Sequence, residues 1–263
     1  MTSATHKVAE GNGPAGATPD RAAAAPAWAQ RMRAINDRLL YNLGGGPRPL
    51  KFAWIINAQK AGTFAFLGLL MWLYAPHTPA ATSTAAWVYL ALHGSYGLAW
   101  LIKDVAFPDP SWQVRITLPS ALVGLTGLGL YWSFGWLLIS GTAQPSYPLP
   151  DPAWFCLCIS LVVVGTTIMI AADAQKTFTL RQRPGLITDG MLRYVRHPNY
   201  LGEMLLYLGF ALMVWHPWPF LVLALFWGGL FATNMAMKEA RMSRHPGWAE
   251  YKRRSWWLLP WVF

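Results

Sequence analysis

The run Arg193-Tyr194-Val195-Arg196-His197-Pro198-Asn199-Tyr200-Leu201-Gly202-Glu203 crowds two arginines, a histidine, an asparagine and a glutamate into the entrance of an apolar segment, Leu201–Trp215. Ionisable groups at membrane depth are costly, so a cluster of them is a functional hypothesis by default. Pro198 suits the first turn of a helix, where a missing N–H costs nothing. Counted from there, Asn199 and Glu203 fall at i and i+4 on one helix face. The helix N-terminus, Arg193 and Arg196 together favour an anion. Upstream lie Asp173, Gln175, Lys176, Thr179, Arg181 and Arg183. Lys176, Arg181, Arg183, Arg193 and Arg196 make a cationic surface that suits phosphate groups, which arginine pairs bidentately. Taken singly, each of these cations is explained by its place in a loop at the membrane surface; the set around one helix start is not.

A second group of polar residues sits further into the apolar runs. His93, Tyr96 and Lys103 have spacings that place them on one helix face. A histidine in lipid needs a partner, whereas Asp104 reads as a marker of the membrane surface and Lys103 as a snorkelling cation. Gly94 and Gly97 beside them fit close helix packing, and Gln59 with Lys60 is a further candidate for a polar cavity. Cys156 and Cys158 point to different faces of an apolar helix and read as packing residues. No His/Cys cluster has metal-ligand spacing, so no metal site is expected. The phosphate-loop pattern and the G-x-S-x-G elbow are missing, against a P-loop nucleotide hydrolase and an α/β-hydrolase.

The elements that must position these residues are membrane helices. The chain has 263 residues, of which 54% are hydrophobic and 12% charged, with 16 Trp; soluble domains carry about 25% charged residues. The expected fold is an all-α integral membrane protein of about six spans, Trp54–Tyr74, Ala86–Phe107, Leu118–Ser140, Trp154–Ala172, Leu201–Trp215 and Phe220–Thr233, with seven as the alternative count. The last two are shorter than the ~20 residues of a straight crossing and suit a hairpin joined at His216–Pro219. Seven Lys/Arg lie up to Lys51, five in Asp173–Tyr200 and six from Asn234 onward, while Ala75–Ala85, Gly141–Ala153 and His216–Pro219 have none. That alternation puts both termini and the motif on the cytoplasmic side of a multi-pass protein, the inner membrane in a bacterium. It also explains the formal charge of +10 without nucleic acid. The division expected is a disordered tail (1–30), an amphipathic or connecting segment (31–51), a four-span bundle (52–172) and a cofactor-binding C-terminal domain (173–263). Ala27–Tyr41 reads equally as an amphipathic surface helix or a short connecting helix. No signal-peptide apolar run stands at the start.

RHPNYLGE, preceded by Thr188-Asp189-Gly190, Tyr194 and Asp173-Ala-Gln175-Lys176, resembles the C-terminal domain of the steroid 5α-reductases and their DUF1295-like bacterial relatives of unassigned function. Leu180-Arg181-Gln-Arg183-Pro184-Gly185 and the ending Glu250-Tyr251-Lys252-Arg253-Arg254…Pro260 carry the same resemblance, over Asp173–Phe263. Isoprenylcysteine carboxyl methyltransferases and phospholipid N-methyltransferases share Gly190, Arg196-His197-Pro198, Tyr200 and Gly202. In them a Glu-Glu pair stands where this chain has Lys238-Glu239.

The reductase resemblance implies NADPH held by Asp173, Lys176, Arg181, Arg183, Arg193, Arg196, His197, Asn199, Tyr200, Glu203, Glu239, Tyr251 and Arg254. It also implies hydride transfer to a lipidic, steroid-like enone that enters from the bilayer, in contact with membrane lipids. Tyr96 is the candidate proton donor, with His93 as its orienter. The alternative is S-adenosylmethionine in the same pocket, held by His197 and Glu239, with a lipid amine, thiolate or carboxylate as acceptor. A haem- or lipid-binding scaffold using His93, His197 and His216 is a third reading, and it leaves the Asn199/Glu203 face unexplained. The oligomeric state is open.

Overall fold

The computed structural model describes residues 23–262. The range 1–22, read above as disordered from its composition, lies outside them. Helix α1 (Ala27–Tyr41) takes the bounds its amphipathic pattern suggests, so Ala27–Gln30 are helix rather than tail. Then come α2 (Phe52–Tyr74), α3 (Thr84–Ala106), α4 (Leu118–Ile139), α5 (Asp151–Gln182) and α6 (Pro198–Val214). Helix α7 (Pro217–Phe226) runs through a π turn at Trp227–Phe231 into α8 (Ala232–Met242), and α9 (Trp248–Arg254) follows. A two-residue ladder pairs β1 (Leu50–Lys51) with β2 (Arg115–Ile116) beside these helices.

Local chemistry sets these starts. Ser83 and Thr117 cap α3 and α4 by accepting from the Ala86 and Ser120 N–H groups. Pro198 and Pro217 stand in the first turns of α6 and α7. The link between these two helices is Trp215-His216, with Trp215 left-handed at φ 44°. The turn is therefore shorter than His216–Pro219, because both prolines fit inside a helix start.

Four helices are long and apolar enough to cross a membrane: Thr84–Ala106, Leu118–Ile139, Asp151–Gln182 and the continuous Pro217–Met242. The protein is an all-α integral membrane protein, and its outward faces carry exposed Trp72, Ile102, Val105, Leu122, Val163 and Leu221. The six-span expectation counts α2 and α6 as well. Helix α2 has the length but holds Gln59 and Lys60 mid-way, and α6 has 17 residues.

Two spans run on well past their apolar windows. Helix α5 has 32 residues, about 48 Å at 1.5 Å per residue, against a hydrocarbon core of about 30 Å. Asp173, Lys176 and Arg181, expected in a loop, therefore ride on a helical extension. No proline or glycine stands between Gly165 and Pro184, and polar residues continue a helix as readily as apolar ones. For the same reason Lys238 and Glu239 stand on α8 rather than beyond the last span.

Helices α5 and α6 pack backbone to backbone. A Cβ at Gly202 would lie 2.5 Å from the Gly165 carbonyl oxygen, and one at Gly165 would lie 2.5 Å from that of Gly202. On the other side, a Cβ at Gly97 of α3 would lie 2.2 Å from the Lys60 carbonyl oxygen. The expectation of close packing at Gly94 and Gly97 holds, and small residues at such contacts are how membrane helices approach.

Candidate functional site

The site has a motif end and a deep end, joined by α6. At the motif end Arg196 and His197 are buried and share one carboxylate: Arg196 Nε donates to Glu239 Oε1 at 2.8 Å, and His197 Nε2 lies 3.1 Å from the same oxygen. The Arg196 Nη1 donates to the Ser255 carbonyl and to Ser255 Oγ. Val195 pairs with Trp256 in a parallel bridge, and the Tyr251 hydroxyl donates to the Leu192 carbonyl at 2.6 Å. These bonds lace the C-terminal segment over the motif. Arg196, His197 and Glu239, assigned above to the cofactor, bond one another, and Tyr251 is bonded to the motif loop. Burial pushes the His197 imidazole below its ordinary range, and Glu239 opposes this only in part.

The loop ahead of the motif is held from α5. Gln175 Nε2 donates to the Asp189 carbonyl at 3.0 Å and its Oε1 accepts from Met191 N–H at 2.7 Å. Gly190 between them sits at φ +56° with Gln175 where a Cβ would be. Arg183 pairs with Asp189, and Lys176 faces Asp109 at 3.7 Å. Burial raises the Asp109 pKa, but Lys176 and the Ser111 N–H and hydroxyl outweigh it and hold the carboxyl below its usual range. Arg181 stacks on Phe178 and Arg193 on Tyr194; neither makes an ion pair among the described residues. Arg254 is exposed on α9.

Asn199, Glu203 and Tyr207 form a stripe at i, i+4 and i+8 on α6, descending about 12 Å into the bundle. Asn199 and Glu203 are half-buried and make no side-chain hydrogen bond or ion pair among the described residues. Glu203 lies in the field of Lys60, Asp173, Lys103 and Lys238. Asp173 itself is bound by Lys103 at 2.8 Å. Lys103 is thus buried and paired rather than snorkelling, because α5 brings a carboxylate to it. Tyr200 is buried under the Lys238 ammonium, 4.5 Å from its ring centre.

At the deep end Lys60 Nζ donates to Tyr96 Oη at 3.1 Å and to Tyr207 Oη at 2.5 Å. The two hydroxyls thus share the Lys60 ammonium. His93 does not orient Tyr96: its Nδ1 lies 3.1 Å from Tyr89 Oη and its ring stacks on Phe210 at 4.3 Å. Lys60 occupies the place expected of His93, because it reaches across from α2 where the Gly97 contact draws α3 in. His93 Nε2 and both amide atoms of Gln59 are buried without a hydrogen-bond partner.

Tyr207, Tyr89 and Gln175 are the members the sequence reading missed or left without a role. Tyr207 had a usable signal, since it extends the Asn199–Glu203 spacing by one more turn. Tyr89 had none, because tyrosine in an apolar helix is ordinary core.

The fold and this centre define a helical membrane protein with a polar site sunk into its bundle from one end. Residues 130–255 match the family described as "Protein of unknown function (DUF1295)". The resemblance carried by the motif is therefore shown, over a segment that begins in α4. The chain is also similar to the Delta(14)-sterol reductase TM7SF2 of Mus musculus, 27% identical over 207 residues that cover 65% of this chain and 49% of that one. It spans about half the length of this curated relative.

Proposed function

We propose that this chain is a membrane-embedded, NADPH-dependent reductase of a lipid-soluble α,β-unsaturated carbonyl compound, with its cofactor entering from the cytoplasm. The observation that carries this reading is the Asn199–Glu203 pair, whose side chains make no hydrogen bond or ion pair among the described residues, with a set of cations at one end and two tyrosines bonded to Lys60 at the other. The similarity to a sterol reductase supports it.

The donor set fits a dinucleotide. Glu203 accepts from ribose hydroxyls or an amide, Asn199 donates and accepts beside it, and Tyr200 closes that face. Arg181 and Arg193, which lack carboxylate partners among the described residues, with Lys176 and Arg183, match phosphates. Asp173, Arg196, His197, Glu239, Tyr251 and Arg254 act at one remove, fixing α5, the motif and the tail. When bound, the reduced nicotinamide supplies a hydride.

The chain's own part is to hold the substrate oxygen. Tyr96 accepts from Lys60, which leaves its own proton to donate to a carbonyl. S-adenosylmethionine carries no phosphate for the cation rim. In addition, the two residues that would hold it, His197 and Glu239, are bonded to each other.

Thermal stabilisation of the detergent-purified protein by NADPH, NADH and S-adenosylmethionine tests this directly, since a ligand of the folded state raises the midpoint with its affinity. Stabilisation by NADPH, lost in Glu203→Gln, is expected. Stabilisation by S-adenosylmethionine alone overturns the reading in favour of a methyltransferase.

A further inference from the structure

Lys60 is 3% exposed and has no carboxylate within ion-pair distance among the described residues. Its neighbour in kind, Lys103, has Asp173. The partners of Lys60 are neutral: the Tyr96 and Tyr207 hydroxyls, and the rings of Tyr96, Trp100 and Tyr207, with centres 4.4, 5.2 and 5.2 Å away. Glu203 acts on Lys60 only through its field, and a buried cation without a contacting counter-ion is costly and marks a function. Two of its three N–H donors are taken, and the orphaned Gln59 amide and His93 Nε2 are buried in the same bundle.

Resting on the reductase reading, we infer that Lys60 is the residue that restricts this enzyme to carbonyl-conjugated double bonds. A C=C bond is reduced by adding a hydride and a proton, and the order decides which charge develops. In a conjugated carbonyl the hydride adds to the β-carbon, its electron pair moves the C=C electrons onto the oxygen, and a proton then taken at the α-carbon restores C=O. The charge to be stabilised is negative and sits on the oxygen that Tyr96 faces. In a diene lacking the carbonyl, protonation comes first and leaves a positive charge on carbon. An ammonium bonded to Tyr96 stabilises the first and repels the second. The substrate therefore enters carbonyl first, and the diene that lacks a carbonyl is excluded by charge rather than by shape.

The test uses a 4-en-3-one steroid, an 8,14-diene sterol lacking a ketone, and a phenolic steroid that mimics the enolate alongside its deoxy analogue. Purified wild type, Lys60→Gln and Lys60→Arg are compared for NADPH-driven turnover of the first two and for thermal stabilisation by the last two. The expectation is turnover of the enone alone and a wild-type preference for the phenol. In Lys60→Gln, which keeps a hydrogen-bonding end but no charge, kcat falls by about a hundredfold or more and the phenol preference disappears. Lys60→Arg retains the preference. Diene turnover by wild type, or a Gln variant with unchanged turnover and phenol preference, overturns the inference. No turnover by wild type with a phenol preference that still depends on Lys60 overturns the reductase reading and leaves the oxygen subsite standing. Absence of both overturns both. If the Gln variant fails to fold, loss of the phenol preference in Lys60→Arg overturns the inference by itself.

Discussion

The motif end and the deep end of the site use the same residue types in opposite ways. Arg196 and His197 are buried and engaged: a shared carboxylate, backbone carbonyls and a hydroxyl bond them. Lys60, His93 and Gln59 are as deeply buried, yet Lys60 has no contacting counter-ion and the others leave polar atoms unmatched. A satisfied polar network fixes a structure, whereas an unsatisfied one holds interactions in reserve for something that arrives. The contrast teaches that the motif recognisable in the sequence is largely a fastening, and that chemistry belongs to the stripe below it.

Four measurements can break or sharpen this division. The largest effect is expected from Arg196→Ala. Removing one member of a buried pair leaves the other charged and unmatched, at a cost of about 3–5 kcal/mol. The thermal midpoint in detergent should fall accordingly, and a midpoint within a degree of wild type would show that Arg196 does not fasten the tail.

Acidification comes next. Burial depresses the folded-state pKa of His197 below its unfolded value, so the folded state binds fewer protons. This contribution is fully present above about pH 6.5 and is lost as pH falls, at no more than about 1.4 kcal/mol per pH unit. Midpoints scanned from pH 8 to pH 5 should drop, and drop less in His197→Gln. Identical slopes would remove His197 from the account.

Tyr251→Phe removes one hydroxyl from the Leu192 carbonyl and should cost about 1 kcal/mol. Its mark is faster amide exchange around Gly190–Arg193, with NADPH binding weakened only in proportion. The smallest stability change is expected for Glu203→Gln, within about 0.5 kcal/mol, together with complete loss of stabilisation by NADPH. A large destabilisation there would turn Glu203 into another fastening residue and erase the contrast.

The stripe was readable where one helix supplied it. Pro198, Asn199 and Glu203 announce a helix start and one face, and α6 begins at Pro198. Hydropathy located each apolar window but overlooked the polar extensions of α5 and α8, since a membrane boundary is not a helix boundary. What one helix supplies to another stayed hidden. Lys103 meets Asp173, Lys60 meets Tyr96 and Tyr207, and Glu239 meets Arg196 across long sequence separations. Such pairs follow from how α2, α3, α5 and α6 are arrayed, which composition and spacing do not encode.

The glycine contact between α5 and α6 has a mechanical consequence. With Gly165 and Gly202 placing the two backbones against each other, the helices tilt as one beam when the surrounding lipid thickens or thins. Asp173 rides on one half of that beam and Glu203 and Tyr207 on the other, so changes in bilayer thickness move these groups together and leave their spacing unaltered.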